Sequence, residues 1–234
     1  MPFAHAQATA YTENFTVGTT SISMVLTNPP APGDLVIVGA LAFNTGSNPA
    51  ITSVIDNNSN KYIPTRSTPF AQSTGTPASL YYLIAPSNAG KTVTVTINPA
   101  LATGGALAAY LDDFTVTGGR VGYDQDLGAT SAGTTSPTNV PTITPNFSGS
   151  LLYAFGNASN TFTGVSGAWT QNTIGVGPSA GDDAAWILSA SGSQTPSFTF
   201  APTMAYGILV GAFYIYSNYT VEEYGQVITF GRSI

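Results

Sequence analysis

Cysteine is absent from all 234 residues, which excludes disulfide staples and thiolate metal sites and leaves the redox compartment open. Histidine occurs once, at His5, in a segment that reads as an arm. A Ser-His-Asp or Cys-His nucleophile needs an imidazole held in place by a third group, and an arm is a poor place to hold one. Zinc needs three or four His, Cys or carboxylate ligands together, and the supply falls short. The five basic residues, Lys61, Arg66, Lys91, Arg120 and Arg232, are spread along the chain. Neutralising phosphates takes a clustered basic face, so neither nucleic acid nor an anionic membrane surface is expected as a partner. Charged residues of both signs make up only 7%, against about 25% in ordinary soluble domains, and the net charge is −6. No apolar run approaches the roughly 20 residues of a membrane-spanning helix, and no window shows convincing helical periodicity. Residues 1–15 have neither the basic nor the apolar region of a secretory signal. Ser/Thr/Asn-rich, Lys-poor β proteins usually act outside cells. Two expectations fit that combination: a particle assembled in a cell and released by lysis, or a leader already removed.

Thr, Ser, Asn and Gly carry the polarity instead, a mixture that suits strands and turns. The stretch Asp34–Phe43, DLVIVGALAF, is entered through Pro29–Gly33 and left through Asn44-Thr45-Gly46. A short apolar run bracketed by turn residues predicts a strand buried on both faces or nearly so. It returns as Gly149–Phe155, GSLLYAF. Between the copies, Ile51–Ile55 and Lys61–Ile63 flank an Asp/Asn turn, and SLYYLI follows a Pro-rich loop over 64–78. TVTVTI then alternates with period two, the pattern of a half-buried strand, and ALAAYLDDFTV closes the series. After the second copy the same order recurs: Thr161–Val165, Ala168–Thr170 with Trp169 where Tyr62 stood, AAWIL, Ser197–Phe200 and AYGILVGAFYIY. A fixed order with drifting loop lengths is what an internal duplication leaves.

The resulting expectation is an all-β, two-sheet sandwich, jelly-roll-like, from a duplicated unit of four to five strands that could not close a core alone. Residues 1–14 read as an N-terminal arm and 15–216 as the sandwich. Its pseudo-repeats cover about 33–116 and 149–216 and are joined by a linking loop over 117–148; a C-terminal arm follows over 217–234. Leu35, Ile37, Val93, Val95, Leu151, Trp186, Phe198 and Leu209 are expected in the core.

The ordered motifs PGDLVIVGALAF, TSVIDNNSNKY, SLYYLIAP-x4-KTVTVTI, ALAAYLDDF and SGSLLYAFGNAS resemble the Ser/Thr/Gly-rich β-sandwich modules of bacterial surface proteins and phage structural proteins. Those modules read GDLLVV, TDSAGNTY, a strand plus G-x-x-TVTV, and a later NDLL strand. The likeness spans about residues 20–214. It implies a jelly-roll-like fold and a surface or particle setting, and it implies no reaction.

Candidate sites are few. Asp112-Asp113 lies within a predicted strand, where alternation sends the two side chains to opposite faces, and a frayed or bulged strand end is the expectation there. Asp124-x-Asp126 and Asp182-Asp183 fall in Gly-rich loops and Glu222-Glu223 in the C-terminal arm. Nothing in the sequence brings two carboxylates to the roughly 5–10 Å that glycoside hydrolysis uses. Asp56-x-Asn58-x-Asn60 has the oxygen spacing that opens a calcium loop. Lys61 stands where the glycine belongs and no glutamate closes it, so a turn bonding its own backbone is expected. Asp124, Asp126 or Asp182 could offer oxygens to calcium between loops, without a motif to organise them. Tyr62 and Trp169 follow turns and read either as glycan platforms or, more in keeping with hairpin exits, as core plugs. In the last stretch, SNYTVEEYGQVITFGRSI, Ser217-Asn218 breaks the strand pattern. Tyr219, Val221, Tyr224, Val227, Ile228 and Phe230 then form an apolar assembly arm, with Gln226–Phe230 suited to strand addition.

Composition and resemblance together imply a non-enzymatic structural protein of a virus particle, such as a phage capsid decoration, tail or spike component. It needs no cofactor or metal. Its partners would be further copies of itself, other particle proteins and surface glycans, and its location the virion or the extracellular space. An extracellular filament subunit, a carbohydrate-binding adhesion module and a glycan-cleaving tail enzyme are the alternatives.

Overall fold

Strands that are apolar at every position and strands that alternate are sorted into different layers of this protein. The computed structural model of the chain describes residues 2–68, 78–132, 141–158, 162–172, 181–200, 205–223 and 226–233. Those residues contain no helix. The first half holds β1 (Phe3–His5), β2 (Ala10–Asn14), β3 (Ser21–Val25), β4 (Leu35–Phe43), β5 (Ala50–Asp56), β6 (Ile63–Pro64), β7 (Ser79–Ile84), β8 (Thr92–Asn98) and β9 (Ala106–Val116). The second holds β10 (Arg120–Ala132), β11 (Ser150–Ala158), β12 (Phe162–Ser166), β13 (Thr170–Gln171), β14 (Asp182–Ala190), β15 (Ser197–Phe200), β16 (Ala205–Glu223) and β17 (Gln226–Ser233).

The inner sheet of the first half runs β9-β4-β7-β6, and that of the second runs β16-β11-β14-β13. The outer sheets are β3-β8-β5 and β12-β15. All pairings among the described residues are antiparallel, and from β2 to β9 the first half passes back and forth between its two sheets, with β6 and β7 as neighbours in the inner one. The two halves therefore share one strand order, with β10 along β16 where β1 and β2 lie along β9. The third strand of the second outer sheet is reduced to one bridge, Ile143 to Gln194.

Three cores follow from this layering. Val36, Val38, Leu107 and Leu111 of the first inner sheet pack on Ile22, Met24, Val93 and Val95 of its outer sheet. Leu152, Ala154, Ile208 and Val210 pack on Phe198 and Val165 in the second half. The opposite faces of the two inner sheets meet through Leu35, Ile37, Tyr110 and Phe114 on one side and Leu151, Tyr153, Phe155, Trp186, Leu209 and Phe213 on the other. The central inner strand β4 is covered on both faces, which is why it is continuously apolar, while β3 and β8, half-covered, alternate. The eight residues expected in the core are all buried, and the chain is an all-β sandwich. Each half also closes a core of its own, because β3, β5 and β8 cap the first inner sheet.

The inner sheets approach each other closely where β4 crosses β11. A Cβ at Gly39 would stand 2.7 Å from Cδ2 and 2.8 Å from Cγ of the Phe155 ring. Gly39→Ala is expected to cost about 1–3 kcal/mol by overpacking, read as a lower denaturant midpoint; an unchanged midpoint would show the interface to be plastic.

Three boundaries differ from the sequence expectation. The N-terminal arm is not loose: β1 pairs Phe3–His5 with Val116–Phe114, and β2 pairs Ala10–Asn14 with Leu111–Leu107. Much of the supposed loop over 117–148 is β10, a full partner of β16. Its Gly and Asp content obscured the strand, and a bulge between Tyr123 and Gln125 absorbs one irregularity. Ser217-Asn218 does not end the last strand. β16 continues to Glu223 because β17 supplies the ladder that favours extended backbone there.

Candidate functional site

The seam between the inner sheets contains acids where apolar residues are expected. β9 runs through the molecule with β4 on one edge and the N-terminal strands on the other, so Asp112 and Asp113 enter the interior with their strand. The register holds through both, opposite Ile37 and Val36, so the expected fraying or bulge does not occur. Asp112 faces the second half. Its Oδ1 accepts from the Thr9 hydroxyl at 2.6 Å and lies 2.9 Å from His5 Nε2, and its Oδ2 accepts from the Tyr153 hydroxyl at 2.7 Å. The His5 ring stacks on Trp186 with centroids 4.3 Å apart and leans on Phe114. One buried carboxylate therefore joins the N-terminal segment, β9 and β11.

The His5–Asp112 pair has two members of a nucleophile triad. His5 makes no second hydrogen bond among the described residues, and the nearby hydroxyl, that of Thr9, is spent on the carboxylate. The pair orients and anchors the N-terminal segment.

Asp113 points the other way, with Oδ2 accepting from Gln7 Nε2 at 2.7 Å. Burial, the largest influence, pushes its pKa up to about 6 despite the Gln7 bond, with Asp34 adding to the rise. Asp182 and Asp183 do not lie in a loop but open β14, both buried. Asp183 accepts from Gln171 Nε2 at 2.6 Å and from Asn172 Nδ2, and burial still raises it to about 7. Asp182 lies on the seam face. Its backbone carbonyl accepts from the Tyr110 hydroxyl at 3.1 Å, and its Oδ1 lies 3.3 Å from the hydroxyl of Tyr11, which is 2.8 Å from Glu13 Oε2. Burial, the largest cause, and the neighbouring carboxylates of Glu13 and Asp183 push Asp182 up to about 7.

The other residues singled out in the sequence lie elsewhere. Asp124 and Asp126 are in β10, not in a loop. Asp124 takes both the backbone and side-chain amides of Asn146, and Asp126 takes the backbone amide of Ser67. Asp56 forms the self-bonded turn: Oδ1 accepts from the amides of Asn58 and Asn60, and Oδ2 from Asn60 Nδ2 and Gly90 N. Burial opposes its ionisation, but those bonds prevail and lower its pKa. Tyr62 and Trp169, just before β6 and β13, are 6% and 7% exposed, so neither presents the open ring face of a glycan platform. Trp169 donates to the carbonyl of Thr195, while the Tyr62 ring borders a groove of about 380 Å³ with Ile51, Ser53, Lys61, Thr68 and Tyr81.

Residues 217–223 of β16 pair with β17, Tyr219 opposite Phe230 and Val221 opposite Ile228. Gln226–Phe230 thus adds its strand to its own chain. By strand alternation the positions of Tyr219, Val221, Ile228 and Phe230 share one face, while Val227, opposite Glu222, falls on the other. Tyr224 lies outside the described residues.

The sequence did not point to Thr9, Tyr153 or Asn157, whose roles depend on a partner strand far along the chain. The readable signal was an acid inside an apolar run. Comparison of the chain with family models, with curated proteins and with solved structures finds no match.

Proposed function

We propose that this protein is a structural component of a virus particle, a capsid decoration, tail or spike protein, assembling with copies of itself through its C-terminal ribbon. The observation that carries this reading is the reach of β16 beyond the body. Its partner β10 starts at Arg120, opposite Tyr216, and the seven positions beyond have β17 as their partner among the described residues. Tyr216 pairs with both Arg120 and Ser233, so β17 continues the edge that β11 occupies lower down. A two-stranded ribbon is at best marginally stable in water and gains order from a surface to lie on. Leu209, Phe213 and Ile215 of β16 face the seam, and further along the same strand the apolar positions Tyr219 and Val221 pair with the apolar positions Phe230 and Ile228. A ribbon with so apolar a sequence fits a neighbouring copy in a symmetric assembly.

Three further features support the reading: the all-β sandwich, a class that includes the jelly rolls of viral capsids; the low charge; and the likeness to phage and bacterial surface modules. Protein ending at Tyr216 is expected to fold with an unchanged far-ultraviolet spectrum and to be monomeric by light scattering, while the full chain oligomerises. A full chain monomeric at high concentration, or a shortened one that unfolds, would assign the ribbon to its own core. Ordered fibres would favour the filament alternative, and retention on immobilised polysaccharide the adhesion alternative.

A further inference from the structure

Asn157 and Asp182 are directly opposite one another in the β11–β14 ladder, on the face of the second inner sheet that meets the first half. Both are wholly buried. Neither the amide oxygen nor the amide nitrogen of Asn157 has a hydrogen-bond partner among the described residues, and neither does Asp182 Oδ2. Burying such groups unpaired costs about 1–3 kcal/mol each, and more for a charge. Across the seam, β2 brings Glu13, half-buried, and Tyr11, whose hydroxyl stands between Glu13 Oε2 at 2.8 Å and Asp182 Oδ1 at 3.3 Å. That hydroxyl has one hydrogen for two carboxylates. When both acids are ionised, one oxygen pair faces without a proton between.

We propose that Asp182, Asn157 and Glu13 form a binding site for a hard divalent cation, calcium by its chemistry, that fastens β2 of the first half to β11 and β14 of the second. The donors are all oxygens: two carboxylates, an amide carbonyl and a phenol. Calcium accepts such sets with irregular geometry and completes its six to eight ligands with water, whereas magnesium demands a tighter octahedron. The two negative charges exclude an anion. A water molecule alone would satisfy Asn157 but would leave the Glu13 and Asp182 carboxylates sharing one tyrosine hydrogen. The carboxylates must be ionised to bind the ion, so a proton is its competitor for the site. Glu13, the half-exposed member, gives the ion its way in.

Titration of the full-length protein with calcium chloride at about pH 7.5, after chelation, tests the site. Calorimetry is expected to give a midpoint in the range of about 0.1–1 mM typical of weak extracellular calcium modules. The thermal midpoint should rise with calcium and less with magnesium, and terbium should show emission sensitised by Tyr11 and Tyr110. Asp182→Asn and Asn157→Ala should each weaken binding at least about tenfold, the loss expected for a ligand removed from so small a set. Asp124→Asn, in β10 and bonded to Asn146, should bind like the parent. Glu13→Gln, at a half-exposed position, should fold even where the buried variants do not, and must also weaken binding. A parent protein whose melting and terbium emission ignore the ions at about 10 mM, well above that range, overturns the site. So does an Asp182→Asn or Glu13→Gln protein that responds like the parent.

Discussion

Stability measured by denaturant in chelator is expected to fall as the pH is raised from about 4.5 to about 7.5, the reverse of the usual acid sensitivity of a carboxylate-bearing protein. Asp113, pushed up to about 6, and Asp182 and Asp183, pushed up to about 7, owe their shifts first to burial. In the unfolded chain each titrates near 4. Between those values the folded protein holds protons that the unfolded one has released, so protons favour the fold. The benefit is complete below about pH 4 and is lost as the pH rises through 6 to 7. Asp56 acts in the opposite sense: hydrogen bonds lower its pKa in the fold, so its contribution is lost in acid. The optimum should therefore lie near pH 4–5. Each pKa unit between the two states corresponds to about 1.4 kcal/mol, so one of the three acids alone makes the decline measurable. Asp183→Asn should flatten part of it, since the amide takes the place of the protonated acid between Gln171 and Asn172. Stability that is level or rising over this interval would show that the three acids ionise in the fold at their ordinary pH.

The fold was largely legible because the two kinds of strand leave different marks. TVTVTI announces a half-covered strand, and DLVIVGALAF a strand covered on both sides. The recurrence of DLVIVG as GSLLYAF marked the shared strand order before any pairing was known, and Tyr62 and Trp169 take equivalent places before β6 and β13. What could not be read is what depends on partners far along the chain. β10 is held by β16, so its glycines and acids, which locally favour turns, are overridden by a ladder some 90 residues away in sequence. The N-terminal strands have no periodicity because two short segments share one edge of β9. The seam was illegible for the same reason. Asp112 looks like a strand defect until Tyr153, His5 and Thr9 are seen to converge on it, and Asp182 looks like turn chemistry until Asn157 is placed opposite.

Asp112→Ala is expected to be the most damaging single substitution, costing about 3–5 kcal/mol of a total that for domains of this kind is about 5–15 kcal/mol. The carboxylate collects the Tyr153 hydroxyl, the Thr9 hydroxyl and the His5 ring, from three different segments. Tyr153 is wholly buried, and burial together with the Asp112 carboxylate raises its hydroxyl pKa well above the ordinary value, so the phenol stays a donor that needs an acceptor. Alanine removes that acceptor and leaves a cavity in its place. The damage should also be local in its order. Without Asp112 the His5 ring loses its anchor beside Trp186, and β1 is left with the three backbone pairs to Val116–Phe114. Amide exchange over residues 2–9 should then rise before that of β4 or β11. Asp112→Asn keeps an acceptor oxygen and should cost less, about 1–3 kcal/mol. Paired with Tyr153→Phe in a double-mutant cycle, it should show coupling, because both changes act on one hydrogen bond. An alanine variant within about 1 kcal/mol of the parent, with residues 2–9 equally protected, would mean that the N-terminal segment is held by backbone pairing alone and that the seam tolerates an unpaired tyrosine.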